Sequence, residues 1–567
     1  MNAALLLEHY ARIADAPDAI ARLRRFVLNL AVRGKLVDQD VSDEPASELL
    51  VRISAERARL VKSGEAQKSK DLADAAEDAD FDLPPTWAWT RLGSITSYIQ
   101  RGKSPKYAEA DGVPVISQKC VQWSGLNLGA ARLITRQSLE AYEKIRFLRD
   151  GDLLWNSTGT GTIGRIIRLD DPPAQLVCDS HVTVVRCLIA NPEYVRVWLR
   201  SDHVYGTIEG RAAGSTNQVE LTGQMAIGQV VPLPPLAEQH RIVAKVDELM
   251  ALCDQLEAAR AEREATRDTF TLSTLAKLNT PDPETFGQDT RFALTNLAPL
   301  TTRPDQIKQL RQIILNLAVR GKLVGQDAAD EPAKDLVQRI QRPIQEIAQS
   351  LRLKVPQLPS MSDDQAPFEL PVGWCWARFP ELGAFGRGRS KHRPRNDPAL
   401  YADGKHRMIQ TGDVARSKGL IQTHTAKYND VGLAQSRLWP AGTLCITIAA
   451  NIADSGILGF SACFPDSVVG FVPAPCFENA RYFEYFMRTA KADLLAFAPA
   501  TAQKNINLDI LMQVMIPLPP LAEQQRIVAR VDELMALCDQ LEASLITGGQ
   551  TRSRLLEAVL HDALEPA

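Results

Sequence analysis

The 567-residue sequence predicts an α+β protein built as a tandem pseudo-duplication, with two globular blocks of mixed strand and helix joined by two long helices. Three observations predict it. PLPPLAEQHRIVAKVDELMALCDQLEA from Pro232 returns from Pro517 with only His240/Gln525 and Lys245/Arg530 changed. LRRFVLNLAVRGKLVDQDVSDEPASELL from Leu23 returns from Leu310 as LRQIILNLAVRGKLVGQDAADEPAKDLV, and LPPTWAWTRL from Leu83 returns from Leu370 as LPVGWCWARF. All three are displaced by 285 to 287 positions, whereas the stretches between them barely resemble each other. Duplication kept a frame and changed its filling.

The elements follow in order. Residues 1–82 form an N-terminal helical segment, and residues 83–235 the first variable block, whose runs VPVIS, DLLWNS, RIIRL and HVTVVRCLI have strand character between Gly, Pro, Asn and Asp turns. Pro234 and Pro235 stop the preceding strand and place Leu236 at a helix start, with Glu238 suited to the positive end of the helix dipole. Residues 236–280 then read as one helix running to about Leu278, with Leu236 at its head and Ile242, Val246, Leu249, Cys253 and Leu256 spaced alternately by four and three. Residues 281–369 are a linker and the repeated helical segment. Residues 370–520 are the second variable block, with strands in HRMIQ, GTLCITIA and VVGFVP. Residues 521–567 repeat the helix, with Leu521, Ile527, Val531, Leu534, Cys538 and Leu541 in the same seam and Gly548-Gly549 expected to interrupt it. Two helices with such seams are expected to pack on each other as a coiled coil.

Length suffices for roughly three or four domains. No apolar run nears the roughly 20 residues of a membrane span, and MNAALLLEHY lacks the features of a secretory signal, so a cytoplasmic protein without a membrane partner is expected. Nine cysteines include no C-x-x-C pair, which gives no zinc site and no disulfide framework. The net charge of −3 conceals a division. Residues 83–235 carry 16 Lys/Arg against 13 Asp/Glu and residues 370–520 carry 16 against 11, so the remainder sums to −11.

Motifs for chemistry do not develop. NSTGTGTIG holds a G-x-G-x-x-G at Gly159, Gly161 and Gly164, with Asp179 downstream, but RIIRL follows where a helix would have to receive a pyrophosphate. Gly102-Lys103-Ser104 has Ser97 where a P-loop needs its first glycine, and Asp171-Pro172-Pro173 is followed by Ala174 instead of an aromatic that could clamp a flipped base. Cationic loops, by contrast, follow the W-x-W segment in both blocks. Arg101, Lys103 and Lys106 in QRGKSPKY, and Arg387, Arg389, Lys391, Arg393 and Arg395 in GRGRSKHRPR, can displace counterions from phosphate and donate to guanine edges. Near the end of each block STNQ and TAQKNIN supply Asn217 and Gln218, then Gln503 and Asn505 with Lys504, whose amides match the edge of adenine.

The paired PLPPLAEQ-x-RIV and LNLAVRGKLV segments, the LPxxWxW segments and the RGKSPKY loop together resemble the specificity subunit of type I restriction-modification systems, over essentially the whole chain. The resemblance implies two target recognition domains, each reading half of a split sequence in double-stranded DNA, and an antiparallel coiled coil of the repeated helices as spacer. It implies a frame that docks two methyltransferase subunits and, through the complex, restriction subunits. The chain itself would be non-catalytic and bind no cofactor, S-adenosylmethionine belonging to the methyltransferase partners. To the contact candidates above it adds Ser104, Tyr107, Gln118, Lys119, Thr158 and Thr160 in the first domain and Thr411 in the second. ITIAANIADS departs from the Gly-rich and Ser/Thr-rich loop commoner in the family. A coiled-coil adaptor for two proteins would also explain duplication but not salt-sensitive DNA binding, and a self-sufficient methyltransferase would need to bind S-adenosylmethionine alone.

Overall fold

The structure, a computed structural model, describes residues 15–66, 72–78, 81–159, 161–212, 220–279, 282, 284–359, 366–392, 394–496 and 506–562. The chain divides into two compact units, residues 1–263 with 548–567, and residues 264–547. Among the described residues no helix is long and apolar enough to cross a membrane, and no group of three His, Cys, Asp or Glu could hold a metal.

In the first unit the W-x-W strand Ala88–Arg91 pairs antiparallel with Val230–Leu233, Trp89 opposite Pro232. In the second, Cys375–Arg378 pairs with Met515–Leu518, Trp376 opposite Pro517. Each block therefore begins and ends side by side on one two-stranded ribbon, a setting that tolerates a proline in a strand. Beyond the ribbon the first unit has a four-stranded antiparallel sheet in the order Thr96–Arg101, Val182–Cys187, Leu153–Asn156, Ile166–Arg168, and a three-stranded sheet centred on Val113–Ile116. The second has a five-stranded sheet in the order Gly383–Arg387, Val468–Pro473, Leu444–Thr447, Ser455–Leu458, Leu420–Ile421, and a four-stranded sheet holding His406–Met408. Trp155, Leu153 and Val185 of the first, and Phe471, Ile446 and Val469 of the second, are fully buried in the unit's main core.

The repeated motifs explain how each block is fixed to its helices. Helix α1 (Ala19–Val32) turns Val27, Leu28, Ala31 and Val32 to the core of the first unit, while Phe26 and Leu30 pack on Leu556 and Leu560. Helix α2 (Leu236–Asn279) carries Glu238 in its first turn, where the buried carboxylate accepts hydrogen bonds from Trp87 Nε1 at 3.0 Å and Gln39 Nε2 at 2.5 Å. Tyr194 donates to the Pro232 carbonyl at 2.5 Å, and Arg241 pairs with Asp43 at 2.7 Å. The second unit repeats this with helices α3 (Pro304–Val319) and α4 (Leu521–Asp562): Trp374 donates to Glu523 at 2.9 Å, Tyr482 to the Pro517 carbonyl, and Arg526 pairs with Asp330 at 2.7 Å. Burial raises the carboxyl pKa of Glu238 and of Glu523, against the hydrogen bonds that lower it. The LPxxWxW tryptophan, the PLPPLAEQ glutamate, the arginine three residues after it and the QD-x-x-DEP aspartate are thus one intramolecular lock, made twice.

The helical seam is occupied in the same local way. Ile242 and Val246, with Leu249 half-buried, join the core of the first unit, and Ile527, Val531 and Cys538, with Leu534, Leu541 and Leu545, join that of the second. Leu256, by contrast, is 39% exposed. Helix α2 runs unbroken for 44 residues, about 66 Å at 1.5 Å per residue. One expectation fails. Gly548-Gly549 does not interrupt α4, which is continuous over 42 residues. Two glycines cost about 1 kcal/mol each relative to alanine in a helix, but Leu556 and Leu560 just beyond are buried, at about 1.5–3 kcal/mol each.

Candidate nucleic-acid interface

In both blocks the first cation of the basic segment ends a strand instead of lying in a loop, for Arg101 closes Thr96–Arg101 and Arg387 closes Gly383–Arg387. The next residue explains the turn. Gly102 N–H donates to the Val182 carbonyl at 3.0 Å, and a Cβ there would lie 2.1 Å from the Asp179 carbonyl oxygen. Gly388 N–H donates to the Val468 carbonyl at 2.9 Å, and a Cβ would meet the Phe464 and Pro465 carbonyl oxygens at 2.4 Å. Only glycine lets the two backbones approach this closely. The same turn, held by the same bond, leads each cationic segment onto the surface.

Around the first turn four stretches converge. Arg101 Nε donates to the Ser180 carbonyl at 2.9 Å and its guanidinium pairs with Glu220 at 3.3 Å. Ser104 Oγ donates to Ser180 Oγ at 3.0 Å, and Lys103 pairs with Glu143 at 3.4 Å. Arg132 stacks on the Tyr107 ring at 3.4 Å, and burial raises the pKa of Tyr107 and of Asp179. Thr158 hydroxyl lies 2.7 Å from His181 Nδ1 and 3.2 Å from Gln118 Oε1. The side chains of Lys106 and Lys119 are exposed and without a partner among the described residues. Exposed ion pairs such as Lys103–Glu143 are worth about 0–1 kcal/mol, so phosphate can exchange with their carboxylates at small cost.

The second surface is differently furnished. Arg387 is exposed, and its carbonyl accepts from Arg437 Nη1 at 2.9 Å. Arg389 lies close enough to Arg437 to help lower its pKa, after burial as the main cause. Lys391 N–H donates to Gln435 Oε1 at 2.6 Å, leaving its ammonium exposed, and Arg395 pairs with Asp466 at 2.5 Å. Thr411 opens the short helix Thr411–Arg416, and no contact among the described residues joins it to the arginine segment. Thr160, Asn217, Gln218, Arg393, Gln503, Lys504 and Asn505 lie outside the described residues.

Sequence reading missed Ser180, His181 and Arg132 in the first block and Gln435 and Arg437 in the second, and weighed Asp179 only for a nucleotide. None stands in a local pattern that marks it. The glycine-rich stretch makes a turn, with Gly159 at φ +100, and leads into the strand Ile166–Arg168, so no helix N-terminus faces it.

The family model for the type I restriction modification DNA specificity domain matches residues 372–547, the second block with most of the helix after it. The chain is also 30% identical over 569 residues to the type I restriction enzyme EcoEI specificity subunit of Escherichia coli, covering 96% of this chain and 94% of that one. The chain belongs to the specificity subunits of type I restriction enzymes. The EcoAI specificity subunit of Escherichia coli is 27% identical over 582 residues with the same coverage. The HsdS subunit from Thermoanaerobacter tengcongensis, a solved structure, is 18% identical and covers 86% of this chain and 98% of that one, with a TM-score of 0.42. A specificity subunit is a non-catalytic part of a DNA methyltransferase and restriction complex.

Proposed function

We propose that this specificity subunit directs its complex to a bipartite sequence in double-stranded DNA, the block of residues 83–235 reading one half-site and that of residues 370–520 the other. The observation carrying this reading is the duplicated glycine turn, which brings a cationic segment to the same place in both blocks while the neighbouring side chains differ. Equal backbone geometry with unequal side chains suits two readers of two sequences. Helices α2 and α4 act as the spacer that fixes the half-site separation. Two methyltransferase subunits dock on the duplicated frame, where Leu252 and Leu537, equivalent in the repeat, are 46% and 47% exposed. Restriction subunits join through the complex, S-adenosylmethionine is bound by the methyltransferase subunits, and the assembly works in the cytoplasm.

The test is adenine methylation by the reconstituted complex on duplexes in which either half-site or the spacer length is altered. Exchanging residues 83–235 for the equivalent block of another specificity subunit should replace one half-site and keep the other. A change in both half-sites, or in neither, contradicts the assignment.

A further inference from the structure

We propose that Gln118 and His181 read an adenine in the half-site of the first block, the Gln118 amide donating to N7 and His181 Nε2 accepting from the 6-amino group. The inference rests on the reading of residues 83–235 as a DNA recognition domain and adds which side chains read and what they read.

The argument starts at one hydroxyl. Thr158 Oγ1 lies between Gln118 Oε1, at 3.2 Å, and His181 Nδ1, at 2.7 Å. A carboxamide oxygen only accepts, so the single Thr158 proton points to Gln118, and the hydroxyl oxygen must take its own bond from His181 Nδ1–H. The Thr162 hydroxyl gives its own proton to the Thr158 and Gly159 carbonyls, at 3.1 and 3.2 Å, which leaves Thr158 as the donor to Gln118. Two consequences follow. The Gln118 amide turns its NH2 away from the threonines, and the His181 ring is held as the Nδ1–H tautomer with a lone pair on Nε2. Neither nitrogen has a partner among the described residues, and His181 is exposed.

Both side chains stand on fixed backbone. The Gln118 carbonyl accepts from Asn156 Nδ2 at 3.0 Å, while His181 N–H donates to Asp179 Oδ1 at 2.9 Å and its carbonyl accepts from Ser157 N–H at 2.9 Å. Lys119, next to Gln118, is exposed where it can meet the DNA backbone. A donor and an acceptor held through one hydroxyl match adenine in the major groove, which offers acceptor N7 beside donor N6–H2. Guanine offers two acceptors, so its O6 would face the His181 lone pair, and each pyrimidine offers one polar group.

The experiment measures equilibrium binding of the complete complex at fixed salt, the half-site having first been read from the methylated positions. Each adenine of the first half-site is replaced in turn by 7-deazaadenine, which lacks N7, or by purine, which lacks the 6-amino group. At one adenine, either analogue should weaken wild-type binding by about 5- to 150-fold. Gln118→Ala should become insensitive to 7-deazaadenine there while still sensing the missing amino group, and His181→Ala should show the reverse. Thr158→Val should blunt both responses, whereas Thr158→Ser should retain them, and unchanged discrimination at the second half-site reports that each variant is folded. If the variants respond to the analogues as wild type does, or if guanine is the preferred base at that position, the proposal falls while the bipartite reading stands. If Gln118→Ala or His181→Ala unfolds at the wild-type temperature and still changes discrimination at the second half-site, the assignment of one block to one half-site falls instead.

Discussion

Replacing Trp87 by Phe should open the start of α2 and leave the start of α4 untouched. The indole is 7% exposed, packs edge-on against Tyr194 at 6.2 Å, and is one of two donors to the buried Glu238 carboxylate. A hydrogen bond to a charged group is worth about 1.5–3 kcal/mol, and the lost part of the ring adds about 1 kcal/mol of burial, for a total of about 2.5–4 kcal/mol. Segment-resolved hydrogen exchange is the assay, since a 2 kcal/mol loss speeds exchange by local opening about 30-fold. Peptides spanning the first turns of α2 should show this acceleration, and those spanning the first turns of α4 should not. The pH dependence has a definite sign. Glu238 has a raised folded pKa, so the folded state holds its proton more tightly, and the group's contribution to stability is fullest at low pH and declines as pH rises through the carboxylate range to that raised value. Removing a donor raises that pKa further, so the penalty of Trp87→Phe should be smaller at pH 4 than at pH 7.5. Unchanged protection of α2, equal acceleration in both helices, or a penalty that shrinks with rising pH would refute the lock.

Gly102→Ala forces a Cβ to 2.1 Å from a backbone carbonyl, so the turn must move, and binding should lose at least about 10-fold of its discrimination at the first half-site only. Gly388→Ala should do the same at the second, and equal loss at both from either variant would show a general folding defect. Lys106→Ala and Lys119→Ala should each reduce the slope of log K against log salt by about 1 without changing the preferred sequence, and an unchanged slope would remove them from the phosphate contacts. Inserting one heptad after Leu256, in an exposed stretch of α2, lengthens the helix by roughly 10 Å and should move the preferred spacer by about 3 base pairs with both half-sites unchanged. A spacer optimum that stays in place would mean that the helices are not the ruler.

The duplication, the long helices and the main strands were legible in the sequence because their causes are local. An apolar step of four and three marks α2 whatever it packs against, Pro234-Pro235 ends a strand by stereochemistry, and β-branched runs such as VTVV make strands over a few residues. Even there, the strength of a local signal did not settle the outcome at Gly548-Gly549, where burial of Leu556 and Leu560 about two and three turns later keeps the helix whole. What each polar side chain bonds to was decided by the tertiary structure alone. Glu238 reads as a helix-dipole residue and is instead the acceptor for Trp87, 151 positions away. Arg101 reads as a free phosphate donor and is anchored to Ser180 and Glu220, and Gln118, Thr158 and His181 meet only because three separate stretches close on one turn. Backbone preferences act over a few residues and leave a trace in spacing. A hydrogen bond between distant side chains has no period, and its partner exists only once the chain has closed around it.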